Sequence, residues 1–195
     1  MTSISSLENI HKKGLFGDHE KKSENKLVKI KEQKKLLIVQ IVQFKNSSSS
    51  IKDYNIDDLN LSDERLKVSS NNNTRIMWCG PKHWLLVSTK KELLTTIKKS
   101  LKDTEFAVTD LSHSRTIIEL EGENSKEVLK KGCPFNFNEL KKNHCVNSVF
   151  HGITITIDMI DDSPDKIRLF ALRSFGESLY HSITDSSLEF GYKCL

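Results

Sequence analysis

The sequence predicts an α+β fold: repeated strand–strand–helix units that pack helices on an antiparallel or mixed sheet. Two observations carry this. A strand–turn–strand–helix pattern occurs three times, at about 75–101, 106–132 and 153–190, and helices that each follow an antiparallel pair can return to one sheet face. The regular alternation of single strands and helices that a doubly wound parallel sheet requires does not occur. The three units share no sequence repeat; the periodicity is structural.

Residues 1–25 are polar, lysine-rich and without sustained period, and read as an N-terminal polar arm with Leu7, Ile10, Leu15 and Phe16 as its apolar anchors. Residues 26–195 are expected to form a single α+β domain. Two strands open it, 26–31 and 35–44. The second, with LLIVQIVQF, is apolar and β-branched enough for a central position. NSSSS (46–50) and SSNNNT (69–74) are loops, and 51–68 shows no assignable period.

Regularity begins at Arg75. RIMW and WLLVS read as short strands across a turn at Gly80 and Pro81. Thr89 and Glu92 form a capping box for a helix striped by Leu93, Ile97 and Leu101, with Leu94 beside it. In the central unit Phe106, Ala107 and Val108 form a strand ending near Asp110, and a tight turn leads to Arg115–Glu121. There Thr116, Ile118 and Leu120 share one face, while Ile117 and charged residues share the other. Asn124 and Glu127 cap the next helix, Gly132 ends it in the left-handed conformation and Pro134 blocks continuation. After an irregular connector, 133–150, Ile153, Ile155, Ile157 and Met159 alternate with Thr154, Thr156 and Asp158. DDSPDK turns the chain into IRLFAL. Ser174 and Glu177 cap the final helix, Phe175, Leu179 and Ile183 stripe it, and Gly191 stops it.

Composition narrows the function classes. With 36% hydrophobic and 29% charged residues in 195, the chain can bury a core and is not disordered. No apolar run approaches the ~20 residues that span a bilayer, and the first residues lack a core of signal-peptide length. No membrane partner and a cytoplasmic location follow as expectations. The formal charge of +4 is small, and its lysines are not interleaved with aromatics. A solvated surface accounts for them better than a nucleic-acid face, which concentrates charge and adds stacking rings.

The search for chemistry gives structural readings. Glycines stand singly, so the G-x-G-x-x-G turn of a dinucleotide site and the Walker loop are both missing. Asp110, Ser112 and His113 supply the residue types of a triad, but neighbours in one turn rarely converge on a point. Asp110 and Ser112 read as turn residues that bond nearby backbone. The acid pairs Asp57–Asp58 and Asp161–Asp162 read as solvated turns. Cys133, His144, Cys145 and His151 lack the close ligand pairs of structural zinc sites, so the four cysteines, Cys79, Cys133, Cys145 and Cys194, are expected as free thiols. Trp78 and Trp84 flank a turn and read either as core rings or as a partner anchor. Arg173 divides the same way, between surface charge and interfacial donor.

Four segments in order carry a family resemblance: WCGPKHWLLV (78–87), DLSHSR (110–115), KEVLKKGCPFNF (126–137) and LRSFGESL (172–179). Together they resemble the gamma subunit of heterotetrameric sarcosine oxidase, over about Trp78 to Gly191. The resemblance implies a fold similar to the folate-binding domain of aminomethyltransferase-like proteins. It also implies a non-catalytic subunit docked on an alpha subunit, with beta and delta subunits completing the complex. FAD, FMN, NAD, tetrahydrofolate and zinc would then be held by the other subunits, and none by this chain. Such complexes oxidatively demethylate sarcosine to glycine, pass the one-carbon unit to tetrahydrofolate and release hydrogen peroxide. The same role in an N-methylglutamate dehydrogenase complex, or a free-standing folate-dependent aminomethyltransferase relative, are the alternatives. Trp84, Arg173 and Phe175 are the expected interface anchors, since large aromatics and arginine dominate binding energy.

Overall fold

The computed structural model describes residues 4–195, which form fourteen strands and three α-helices. In chain order the first strands are β1 (Gly14–Phe16), β2 (Val28–Glu32), β3 (Leu37–Gln43), β4 (Asn55–Ile56), β5 (Leu59–Asn60) and β6 (Val68–Ser70). Then come β7 (Thr74–Gly80), β8 (His83–Ser88), α1 (Leu93–Ser100), β9 (Phe106–Asp110), β10 (Arg115–Glu121) and α2 (Ser125–Lys130). The last are β11 (Cys145–Phe150), β12 (Ile153–Asp162), β13 (Asp165–Leu172), α3 (Gly176–Ser187) and β14 (Tyr192–Cys194).

These elements make two compact units, where the sequence alone suggests one domain over 26–195. The first unit runs to Lys34 and adds Ser114–Lys142 and Val146–Leu195; the second is Lys35–His113 with Asn143–Cys145. The division explains why β9 and β10 do not form the expected hairpin, and why β2 and β3, neighbours in sequence, do not pair. β2 belongs to the first unit and β3 to the second, and β9 and β10 part in the same way. Period-2 alternation identifies a strand but not its neighbour, so the tight turn expected at 110–115 is instead a passage between sheets. Its backbone shows this: the Leu111 amide donates to Ile38 O at 2.8 Å, while Ser114 O accepts from the Arg173 amide at 2.9 Å.

In the first unit a seven-stranded sheet has the order β1-β14-β2-β10-β13-β12-β11. β10 lies antiparallel between β2 and β13, and β14 runs parallel to β2, so the sheet is mixed. Ile118, Leu120, Ile155, Ile157, Ile167 and Leu169 are fully buried in a core with Val128 and Leu129 of α2 and Leu179 and Ile183 of α3. Each such side chain contributes about 1.5–3 kcal/mol of hydrophobic stabilisation. The arm feeds this core: Leu7 is 0% exposed within it, and β1 pairs with β14. Residues 1–3 of the expected arm lie outside the described residues.

In the second unit β6-β7-β8-β3-β9 form a five-stranded sheet, and α1 lays Leu93 and Ile97 on its core. The helices therefore serve two sheets rather than one. The unassigned stretch 51–68 holds the β4–β5 hairpin, and the connector expected to be irregular holds β11. The serine loop at 46–50 falls between strands as expected; in SSNNNT (69–74), Ser69 and Ser70 end β6 and Thr74 opens β7.

Three helix starts differ in detail from expectation. None of α1, α2 or α3 has a side-chain cap bond, so the expected capping boxes are not made. Thr89 donates to Asn73 instead, Glu127 pairs with Lys130, and a 3-10 turn, Arg173–Phe175, puts Phe175 rather than Ser174 at the head of α3. That places Phe175 at the surface, 47% exposed, not on the buried stripe. Gly132 follows α2 as expected, but with no positive φ. Glycine is required there because a Cβ would lie 2.5 Å from Cδ2 of His151 and 2.9 Å from the Phe150 ring. Gly191, at φ 67°, ends the C-terminal helical run.

Candidate functional site

The residues whose types suggested chemistry are held in structural roles. The Ser112 hydroxyl donates to Asp110 Oδ1 at 2.6 Å and accepts from the Ile38 amide at 3.0 Å, and the Ser112 amide also donates to Asp110 at 2.9 Å. Burial pushes the Asp110 carboxyl up, but the two bonds from Ser112, together with the nearby His113 and Lys98, hold it below its ordinary value. A hydroxyl committed on both sides, its proton donated to a carboxylate that also caps the Ser112 amide and with no imidazole bonded to it, lacks the nucleophile–base–orienter arrangement of an activated serine. His113 is exposed. Asp110 and Ser112 bond each other and nearby backbone, as the sequence suggests, within a passage between sheets rather than a hairpin turn.

The cysteines and histidines are likewise dispersed. Cys133 and Cys145 fall in different units. The Cys133 thiol lies 3.1 Å from Ser148 Oγ, and burial pushes it up despite that bond, away from the thiolate form that reacts or ligates. Cys145 Sγ donates to Trp78 O at 3.0 Å, and the His151 ring stands edge-on to Phe150 at 4.7 Å. Among the described residues none of the four cysteines is in a disulfide. Among the described residues, no group of three or more His, Cys, Asp or Glu is gathered where it could hold a metal ion.

Two polar networks have no counterpart in the sequence reading. In the first unit Glu119, 5% exposed, takes Arg168 Nε at 2.7 Å and Lys166 Nζ at 3.3 Å. Glu121 takes Lys166 at 3.0 Å and Lys29 at 2.9 Å, which lowers its carboxyl below the ordinary value. The strand register aligns these groups, with Glu119 opposite both Arg168 and Lys31. In the second unit Asp57 accepts from Lys90 Nζ and Thr74 Oγ1, each at 2.5 Å, and from Asn71 at 3.3 Å. The solvated turn expected at Asp57–Asp58 is therefore half right: both residues sit in a hairpin turn with positive φ, but the Asp57 side chain is only 11% exposed among its donors. Asp161 and Asp162 end strand β12 rather than lying in the expected turn, and Asp161 accepts from Lys142 at 3.1 Å on the surface.

The three expected anchors separate. Trp84 is 1% exposed in the second unit's core, and its indole N–H donates to Ser62 O at 2.6 Å. Its surface is spent inside this chain, so it is corrected from an anchor to a core ring. Arg173 donates through its guanidinium to Ile4 O. Beside it Leu172, Phe175 and Ile4 are the exposed apolar side chains of one junction in the first unit. An open cleft of about 500 Å³ on the far part of α3 is lined by His181, Ser182, Thr184, Asp185, Leu188 and Tyr192. The Ser182 and Thr184 hydroxyls there donate to carbonyls of their own helix. No helix among the described residues is long and apolar enough to cross a membrane.

Comparison with known proteins follows the same lines. Residues 56–189 match the model of the sarcosine oxidase, gamma subunit family. Over 120 residues the chain is 28% identical to the sarcosine oxidase subunit gamma of Corynebacterium sp. (strain U-96), an alignment covering 60% of this chain and 58% of that relative. It thus spans less than two thirds of the relative's length. Among solved structures, the heterotetrameric sarcosine oxidase from Corynebacterium sp. U-96 in complex with pyrrole 2-carboxylate superposes with a TM-score of 0.77 and 22% identity. That match covers 86% of this chain and 87% of the matched chain. The glycine cleavage system aminomethyltransferase T from Bartonella henselae superposes with a TM-score of 0.65 and 13% identity, over 88% of this chain and 48% of that one. At these identities the likeness is one of fold, and it is the α+β, aminomethyltransferase-like fold that the sequence suggests. The family match covers well over half of the sequence, and the chain belongs to the sarcosine oxidase gamma subunit family.

Proposed function

We propose that this chain is the gamma subunit of a sarcosine oxidase-like complex and takes part by assembly rather than by chemistry of its own. The family match over 56–189 carries this reading. It is supported by the residues: Asp110 and Ser112 bond each other and nearby backbone, and burial pushes the Cys133 thiol up, away from its thiolate form. In this reading the chain docks on a large alpha subunit, with beta and delta subunits present. FAD, FMN, NAD, tetrahydrofolate and zinc belong to those partners. The complex oxidises sarcosine to glycine, transfers the one-carbon unit to tetrahydrofolate and yields hydrogen peroxide.

The surface proposed for docking is the junction of Leu172, Arg173 and Phe175 on the first unit. Exposed apolar side chains around an arginine have the composition of an interface core. The test is purification of the native complex through a tag on this chain, followed by assay with sarcosine and with N-methylglutamate. Sarcosine-dependent hydrogen peroxide from the copurified complex is expected. Turnover of N-methylglutamate alone would move the chain to the related dehydrogenase, and flavin bound stoichiometrically by this chain after separation from its partners would contradict the non-catalytic role.

A further inference from the structure

Residues 4–11 are bound at more points than an arm needs to cover apolar surface. Leu7 is fully buried in the first unit's core. Around it, Ser5 donates to the Glu32 carboxylate on β2, and Ser6 Oγ lies 2.6 Å from Thr116 Oγ1 on β10. Ile4 O accepts from Arg173, and His11 Nε2 lies 2.9 Å from Leu195 O while its ring meets Tyr180 of α3 edge-on at 5.4 Å. The contact at the head of α3 is close. A Cβ on Gly176 would fall 2.5 Å from Thr116 Oγ1 and 3.0 Å from Ser6 Oγ, so helix, strand and segment meet without spare room.

From this geometry we propose that residues 4–11 are a clasp that holds the Arg173–Phe175 turn and so sets how Leu172 and Phe175 are presented. Leu7 anchors the segment by burial, and the serines and the Ile4 carbonyl fix its register. Arg173 is gripped on two sides, its guanidinium by Ile4 O and its amide by Ser114 O at 2.9 Å. Only Leu7 of these residues is fully buried, and segments with few buried contacts open well below the free energy of global unfolding. The clasp can therefore release while the sheet stays folded, and the Arg173–Phe175 turn would loosen with it. The consequence for docking rests on the assembly reading above, whereas the clasp itself does not.

The test is native-state trypsin cleavage after Arg173 in the 195-residue chain, followed by mass spectrometry. Leu7→Ala is compared with Ile155→Ala, a truncation in the same core on β12, at matched global stability. Leu7→Ala is expected to speed cleavage at Arg173 at least about tenfold beyond Ile155→Ala, because local opening then governs access. The double variant Ser5→Ala/Ser6→Ala, at partly exposed positions, is expected to speed it less but measurably, without loss of fold. Equal rates for Leu7→Ala and Ile155→Ala, or a wild-type rate in the double serine variant, would overturn the clasp. A chain that shows the expected pattern yet binds no partner subunit would contradict the assembly reading and leave the clasp standing.

Discussion

At Asp57 three donors converge on one carboxylate, and each consequence can be measured. The Lys90 ammonium and the Thr74 hydroxyl, helped by Asn71, hold its carboxyl below the ordinary value against the opposing effect of burial. A folded-state pKa below the unfolded one means stability present above about pH 3.9, the ordinary Asp value, and lost as the pH falls through the lower folded value. Asp57→Ala is expected to cost about 1.5–3 kcal/mol at pH 7, the range for hydrogen bonds to a charged group. In urea unfolding, the gap between wild type and variant should narrow only below about pH 4, where protonation sets in. Gly176→Ala tests sterics against propensity. Alanine is favoured over glycine by about 1 kcal/mol in a helix interior and by less at a first residue such as Gly176, while the Cβ would meet Thr116 Oγ1 at 2.5 Å. A lowered Tm is expected, and a raised one would show that the junction is loose. His113→Ala, at an exposed turn position, should leave turnover of the assembled complex within a few-fold of wild type. At this scale the sequence was legible where a role depends on local geometry, as in the Asp110–Ser112 turn. It was not where partners come from segments distant in sequence: nothing near Asp57 announces Lys90, and nothing near Trp84 announces that Ser62 O will accept its N–H.

Among the elements, the longer strands were readable from alternation and the helices from their stripes, while β1, β4, β5, β6, β11 and β14 and the pairings across long loops were not. The β12–β13 hairpin was found because two residues close it, and β7–β8 for the same reason. β9 and β10 were misjoined because they follow one another in sequence yet hydrogen-bond to β3 and β13. The charged ladder belongs to this scale, since register alone brings Glu119 to Arg168 and Glu121 to Lys166. Removing one partner of a buried ion pair leaves an uncompensated charge and costs about 3–5 kcal/mol. Arg168→Met is expected to fall toward the low end of that range, because Lys166 remains beside Glu119. A double-mutant cycle of Arg168→Met with Glu119→Gln measures the coupling. A near-zero value would show the ladder to be solvated surface.

For the whole molecule, the fold class and the family were legible because the four segments that carry the resemblance lie within, or reach into, regular elements, while the division into two units was not. The chain passes between the units at 34–35, 113–114 and 142–146, and no change of composition marks these passages. The anchors show the same limit: Trp84 and Phe175 have equal claims as residue types, and only folding buries one and exposes the other. Trp84→Ala is therefore expected to destabilise the chain by about 3–5 kcal/mol, as for a large buried ring, whereas Phe175→Ala should leave its Tm within a few degrees. The most direct test of the assembly claim is coexpression of this chain with the large alpha subunit and pull-down through a tag on this chain. A one-to-one pair is expected, weakened about thirtyfold in Kd by Phe175→Ala if that ring is a central contact of about 2 kcal/mol. Recovery of this chain alone, monomeric and with an unchanged Tm whether or not the alpha subunit is present, would contradict it.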